Sequence, residues 1–411
     1  MPLRGSVCIS GAKNAALVLI AASIMAKGET VLENIPNIED VNTLVEILQE
    51  MDVAIVWNDE HNSLTIQAPE GAITRQAPLE LTSKLRASNL LLGPLLGRQA
   101  EGIISASGGC DIGLRPIDLH IKGFEAMGAK VELLGNCIQV SRRNANGARI
   151  YLDFPSVGAT ENIMMMAALT PGQTVIENAA KEPEIVNLAS FLIAMGASIR
   201  GAGTGIINIT GVDELRAVHY SAIPDRIEAG TYMLAAAATR GDVIVENIIL
   251  QHLSPVIAKL REMGAQVEVL QSDKLRVNAE NPLRPVNIKT MPYPGFPTDM
   301  QSQMIALLAN TPGTSTVEET IFENRFRIIS ELCRMGANVQ ADTHLATLQG
   351  IPRLYGATVT ATDLRAGAAL IIAGCAAEGV TVIEDAVHIF RGYESVVEKF
   401  RKLGAHIEDM P

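Results

Sequence analysis

Leu260-Arg261-Glu262-Met263-Gly264-Ala265-Gln266-Val267-Glu268-Val269 changes its period halfway along. Leu260 and Met263 lie three apart, on one stripe of a helix. Gly264 supplies a left-handed stop. Gln266 to Val269 then alternate polar and apolar, as a half-buried strand does. The same motif stands at Met51-Asp52-Val53, Met127-Gly128-Ala129, Met195-Gly196-Ala197, Met335-Gly336-Ala337 and Leu403-Gly404-Ala405, at intervals of 68 to 76 residues. Leu192 and Met195 repeat the buried stripe. Asp52 takes the glycine position of the first copy, and Asp tolerates the left-handed conformation better than most residues.

Two further elements recur around this one. Small apolar helices begin at capped or Pro-marked segments: Ser10-Gly11-Ala12-Lys13-Asn14, Pro155-Ser156-Val157-Gly158-Ala159, Pro224-Asp225-Arg226, Pro297-Thr298-Asp299 and Thr362-Asp363-Leu364-Arg365. Ser, Thr and Asp are good N-caps at such starts. A Glu-Asn pair ends aliphatic runs at Glu33-Asn34, Glu177-Asn178 and Glu246-Asn247. Each unit of about 70 residues therefore holds two helices and several short strands, more than a helix-pair solenoid needs. Six units divide as three and three, with the split near Ala222-Ile223-Pro224. The expectation is an α/β fold of two globular halves, each with three units about a pseudo-threefold axis, helices inside and sheets outside. One continuous sheet would contradict it. Helix starts expose N–H groups and partial positive charge, and several facing one cleft would trap phosphates and carboxylates.

Composition narrows the partners. The 411 residues are too many for one ordinary core, and 48% are hydrophobic. Lys and Arg number 33 against 45 Asp and Glu, a net charge of −12, which disfavours nucleic acid and anionic membrane as partners. The five cysteines, Cys8, Cys110, Cys137, Cys333 and Cys375, are scattered and never spaced as CxxC. That spacing argues against a disulfide framework or structural zinc and for a reducing compartment. Met1 to Gly11 has no apolar run like that of a signal peptide, and no later stretch is long enough to span a membrane. A cytoplasmic location is expected. No ligand cluster calls for a metal or organic cofactor.

Six segments resemble those of one family, the UDP-N-acetylglucosamine 1-carboxyvinyltransferases. They are Ile9 to Ala16, Gly108-Gly109-Cys110-Asp111-Ile112-Gly113-Leu114-Arg115-Pro116-Ile117-Asp118-Leu119-His120, Phe296 to Gln301, Phe322 to Phe326, Ala361 to Arg365, and His388 to Glu394. They are spread in order over nearly the whole chain. The resemblance implies an EPSP synthase-like fold: a two-domain inside-out α/β barrel of six repeated units, three per domain. One domain would span residues 13–223 and the other residues 1–12 with 224–411, with substrates in the cleft between them. Family members carry further residues, including a strand, ahead of the Pro2-Leu3 position. Some have Lys where Phe154 stands here.

The resemblance also implies roles. Lys13, Arg115 and Arg391 would hold the phosphate of phosphoenolpyruvate, and Arg325 and Arg365 its carboxylate, for which the planar guanidinium fork is suited. Cys110, between glycines, would protonate C3 and be the thiol that fosfomycin alkylates. Asp299 would act near the sugar 3′-hydroxyl as base or orienting anion, and Lys13 and Arg391 would join it and Cys110 as catalytic groups. Asn14 would touch both substrates. Arg86, Arg115, Pro116, Ile117, Asp118, Leu119, Ser156, Val157, Gly158, Asp299 and Ile321 would bind UDP-N-acetylglucosamine. Asp363 would position Arg365. Bland readings stand beside these: an Arg in a surface ion pair, an Asp capping a turn, and His120 and the other four cysteines as buried structural residues. The implied activity is enolpyruvyl transfer, with no cofactor. The alternatives are a shikimate-phosphate enzyme of the same fold and a silent nucleotide-sugar-binding paralogue.

Overall fold

The computed structural model describes residues 1–105 and 117–410. They form two compact units, one of residues 1–10 with 224–410, the other of residues 11–105 with 117–223.

Each unit is built from one repeated plan: an inner helix, a strand, an outer helix and a hairpin. The inner helices of residues 11–223 are Lys13–Ser23, Leu92–Gln99 and Val157–Ala168. Those of the other unit are Arg226–Ala238, Gln301–Ala309 and Leu364–Ala376. Ala, Ile, Leu and Met bury almost every face of them; Ala229 to Ala237 are all buried, and so is all of Gln301–Ala309. Small residues allow this close packing, and removing this much apolar surface from water drives each core. The outer helices bury one stripe only: Ser254–Met263 buries Val256, Leu260 and Met263. Its cap Gly264 has φ +97°, and Asp52, in the equivalent place, has φ +69°.

The sheets lie outside these helices and are separate. Asp242–Glu246 pairs in parallel with Arg4–Cys8 and antiparallel with Lys274–Asn278, and Gln266–Gln271 follows at the edge. The order repeats at Glu29–Glu33, between His219–Ser221 and the hairpin of Ser63–Gln67 and Ala54–Asn58. It repeats at Gln173–Glu177 and Gly313–Glu318. At Glu101–Ser105 a single bridge from Gln76 replaces the parallel strand. In the sixth unit, among the described residues, Val382–Glu384 pairs only with Thr358–Thr360. Each unit is thus the inside-out α/β arrangement expected from the repeats.

The recurring Glu-Asn pairs act as latches. Asn34, Asn178 and Asn247 all have φ between 54° and 57°. In that conformation each side chain reaches the carbonyl just past the neighbouring parallel strand: Ala222 at 2.9 Å, Leu152 at 2.8 Å and Ile9 at 2.7 Å. The backbone N–H of the same three residues returns to Glu33, Glu177 and Glu246 at 3.0 Å. Each inner helix that follows therefore starts from a fixed point.

The thiols correct one expectation. Cys8 and Cys333 are exposed, and Cys137 and Cys375 are half-buried. Cys8 points outward from its strand, and Cys333 sits one residue off the stripe formed by Ile328, Glu331 and Leu332.

Candidate active site

In residues 224–410 the sequence-predicted groups converge on Asp299. This residue lies in the 3-10 turn Thr298–Met300, which leads into the inner helix Gln301–Ala309. Its carboxylate does not cap that helix. Oδ1 accepts from Arg325 Nη2 at 2.5 Å, and Oδ2 accepts from Arg365 Nη2 at 2.9 Å. Arg325 and Arg365 are 3% and 5% exposed, so both cations are withdrawn from water. Burial pulls the Arg365 guanidinium down, but Asp299, Tyr393 and Asp225 outweigh it and leave its pKa raised. Arg365 carries its charge at every working pH. Asp363 holds Arg365 by the backbone, accepting its N–H at 2.8 Å as the helix N-cap.

A shell of neutral groups supports the cations. Tyr393 Oη accepts from Arg365 Nη1 at 3.4 Å and lies 2.8 Å from Thr231 Oγ1. Gln303 Nε2 reaches the Asp299 carbonyl at 3.0 Å. The Arg325 guanidinium lies over the Phe322 ring, 5.3 Å from its centroid. Glu319, 1% exposed, organises the turn on the other side. It accepts from Thr298 Oγ1 at 3.0 Å and from the N–H groups of Ile321 and Phe322 at 2.8 and 3.2 Å. Ile321 is half-buried there. Arg391 is half-buried at the end of the short helix Val387–Phe390, two residues before Tyr393.

In residues 11–223 a second group gathers around His120. Asp118 opens the outer helix Asp118–Ala126, with Ile117 before it and Leu119 after. Ser156, Val157 and Gly158 open the inner helix Val157–Ala168, and the Ser156 hydroxyl accepts from the Ala159 N–H at 3.4 Å. A side chain at Gly158 would meet His120 Cε1 at 3.1 Å, so the helix start and the imidazole are in close approach. Asn162 fixes the ring. Its Oδ1 accepts from Gly93 N–H at 2.7 Å, and its Nδ2 donates to the Asn89 carbonyl at 3.0 Å and to His120 Nδ1 at 2.9 Å. The imidazole proton therefore sits on Nε2. Burial, and then the Arg86 charge, push the His120 pKa down to about 4 against the pull of Asp118. Arg86, first residue of the 3-10 helix Arg86–Leu91, is half-buried, and burial lowers its pKa. Lys13 starts the helix Lys13–Ser23, with Nζ 2.6 Å from Asp40 Oδ2, and Asn14 follows it, half-buried. Phe154 is 43% exposed, and its carbonyl accepts the Ser156 N–H at 2.7 Å.

The structure thus brings Asp299, Arg325 and Arg365 into one cluster, and places Arg86, Asp118 and Gly158 around one histidine. Cys110, Arg115 and Pro116 lie outside the described residues. Sequence reasoning gave no role to Tyr393, Glu319, Asn162 or Asp40. Tyr393 lay inside a quoted segment; the others carried no local signal. Among the described residues no group of His, Cys, Asp and Glu could hold a metal ion, and no helix is long and apolar enough to cross a membrane.

Comparison with known proteins identifies the family. Residues 1–400 match the EPSP synthase (3-phosphoshikimate 1-carboxyvinyltransferase) family. The chain is 53% identical over 407 residues to UDP-N-acetylglucosamine 1-carboxyvinyltransferase 2 of Carboxydothermus hydrogenoformans, covering 99% of this chain and 96% of that one. It is 50% identical to UDP-N-acetylglucosamine 1-carboxyvinyltransferase of Finegoldia magna over 408 residues, with the same coverage. The crystal structure of the enolpyruvyl transferase NikO from Streptomyces tendae superposes with a TM-score of 0.88 at 25% identity, covering 98% of this chain and 95% of that one. EPSP synthase from Acinetobacter baumannii shares the fold, with a TM-score of 0.75 at 18% identity and the same coverage. On its repeats, its buried arginine cluster and this similarity over its whole length, the chain belongs to the EPSP synthase family of enolpyruvyl transferases, alongside its UDP-N-acetylglucosamine 1-carboxyvinyltransferase members.

Proposed function

We propose that the chain transfers the enolpyruvyl group of phosphoenolpyruvate to the 3′-hydroxyl of UDP-N-acetylglucosamine and releases phosphate, the first committed step of peptidoglycan precursor synthesis in the cytoplasm. The observation that carries this reading is the pair of buried guanidiniums beside Asp299. Arg325 and Arg365 each spend one Nη2 on Asp299, and the buried Arg325 Nε–H has no acceptor among the described residues. A buried donor left unsatisfied is costly unless a ligand supplies the acceptor. A substrate carboxylate is a fitting one.

The remaining roles follow the chemistry. Arg391 and Arg115 of this set, with Lys13, neutralise the phosphate. The Ser156 N–H is spent on the Phe154 carbonyl, so of the Ser156-Val157-Gly158 helix start the N–H groups of Val157 and Gly158 meet the nucleotide diphosphate, and Asn14, Arg86, Pro116, Ile117, Asp118, Leu119 and Ile321 frame the nucleotide sugar. The 3′-oxygen attacks C2 of phosphoenolpyruvate as Cys110 gives a proton to C3. The tetrahedral phospho-ketal then loses phosphate as a C3 proton leaves. Asp299 orients the hydroxyl or takes its proton. Holding anions still while charge moves is the protein's main contribution.

The test is phosphate release from phosphoenolpyruvate with UDP-N-acetylglucosamine or with shikimate 3-phosphate as acceptor. Release is expected with the nucleotide sugar alone and is expected to stop with fosfomycin. Cys110→Asp keeps a proton donor but loses the thiolate nucleophile, so it should retain turnover and resist fosfomycin. Tight nucleotide-sugar binding without turnover would favour the silent paralogue instead.

A further inference from the structure

The segment Arg391-Gly392-Tyr393-Glu394 is pinned at two successive residues. Tyr393, 2% exposed, is held by Arg365 and Thr231, as described. Glu394 is held by a different set: its carboxylate accepts from the Ser10 hydroxyl. Ser10 is the hub of that set. Its Oγ accepts from Lys399 Nζ at 2.6 Å, its N–H donates to Glu228 Oε2 at 2.8 Å, and its carbonyl accepts the Asp225 N–H at 2.9 Å. Lys399 also donates to Glu228 Oε1 at 2.6 Å. The Glu228 and Lys399 side chains are 3% and 14% exposed.

A buried Lys–Glu pair is a poor source of stability, because desolvation offsets the attraction between its charges. What it does supply is fixed geometry. Here that geometry joins three separate elements: the inner helix Arg226–Ala238, the terminal helix Val396–Lys402 and the strand Arg4–Cys8, whose chain reaches Ser10 two residues later. They meet at Ser10, whose hydroxyl donates to Glu394, the residue three positions after Arg391. Neither Ser10, Glu228, Lys399 nor Glu394 has a part in the proposed chemistry.

We infer that Ser10, Glu228, Lys399 and Glu394 form a positioning network that sets Arg391 for the phosphate of phosphoenolpyruvate. The inference rests on the phosphate role of Arg391. Lys399→Met removes the donor shared by Ser10 and Glu228. The double variant Glu228→Gln with Lys399→Met retains an acceptor for the Ser10 N–H without leaving a buried charge, and serves where the single variant fails to fold. Small displacements of a binding group cost up to about a hundredfold. The expected result in the folded variant is a KM for phosphoenolpyruvate raised about ten- to a hundredfold, with the KM for UDP-N-acetylglucosamine unchanged and kcat within about threefold. Lys399→Arg should recover most of the loss. A purely structural role would shift the melting temperature without splitting the two KM values. A folded double variant with both KM values as in the wild type overturns the network and leaves the transferase reading intact. Absence of turnover by the wild type overturns that reading, and the network with it.

Discussion

The Asp299 cluster and the His120 cluster hold polar groups inside the protein by opposite means. Around Asp299 the groups are ionised: two buried guanidiniums share one carboxylate at 2.5 and 2.9 Å. Around His120 the hydrogen bonds join neutral groups: a carboxamide spends both ends on backbone groups and on an imidazole whose pKa has fallen to about 4. The first arrangement leaves the buried Arg325 Nε–H without an acceptor among the described residues, a donor that suits a small anion. The second leaves the N–H groups of Val157 and Gly158 and the Arg86 side chain to set the field beside a helix start.

The sharpest way to break the comparison is Arg365→Ala. It removes one of two cations from Asp299 and leaves Tyr393 Oη without that donor. Losing one partner of a buried ion pair costs about 3–5 kcal/mol. The variant should unfold at markedly lower denaturant concentration, and in any folded fraction kcat/KM for phosphoenolpyruvate should fall by two orders of magnitude or more, as roughly 3 kcal/mol implies. Arg365→Lys should recover little, since an ammonium lacks the fork that reaches Asp299 and Tyr393 at once. A Lys variant with full activity would show that charge alone matters, and the contrast between the clusters would lose its basis.

The neutral cluster makes a pH prediction of smaller size. His120 titrates near 6.5 when unfolded and at about 4 when folded. Between those values the unfolded chain binds more protons, so stability rises with pH. The neutral imidazole's contribution is fully present above pH 6.5 and is lost as pH falls to about 4. It amounts to up to about 3 kcal/mol. His120→Asn keeps an acceptor for Asn162 Nδ2 and removes the titration. Urea unfolding at pH 7, 5 and 4 should show a shallower acid loss in the variant than in the wild type. Equal acid slopes would mean that His120 takes up its proton as readily in the folded protein as in the unfolded chain, and that its surroundings do not hold it neutral.

What the sequence disclosed follows the same division. The Met-Gly-Ala repeats were legible because a helix stripe, a left-handed cap and an alternating strand are written in ten consecutive residues. Arg325, Arg365 and Asp299 were legible as members of motifs. Their mutual pairing was not, because the bonds join residues 26 and 66 positions apart. The Asn latches show the limit most clearly. Asn34, Asn178 and Asn247 were visible as a recurring pair with Glu, yet their acceptors stand 188, 26 and 238 residues away. The Ser10 hub was invisible for the same reason. Asn162 gave no signal, because an Asn within an apolar helix does not announce which backbone groups it will satisfy. The burial expected of Cys8 and Cys333 failed because one-residue offsets on a strand or helix decide which face a thiol takes.

The finest test concerns the helix start itself. Val157 is the first residue of its helix, and Ser156 before it is extended, at φ −77° and ψ 121°. Proline is tolerated at this position, since its missing N–H has no intrahelical partner and its φ suits the helix. The residue ahead of a proline must be extended, as Ser156 already is. Val157→Pro therefore deletes one N–H while keeping the cap, the helix and the Asn162 contacts. If that N–H meets the diphosphate, its loss removes one hydrogen bond to a charged group, about 1.5 kcal/mol, and the KM for UDP-N-acetylglucosamine should rise roughly tenfold. The KM for phosphoenolpyruvate and the melting temperature should stay close to wild type. Ser156→Ala makes the control: it weakens the cap but leaves every N–H in place, so it should lower stability by up to about 1 kcal/mol with no change in either KM. An unchanged nucleotide-sugar KM in Val157→Pro would remove the backbone from recognition and leave the neutral cluster with a packing role only.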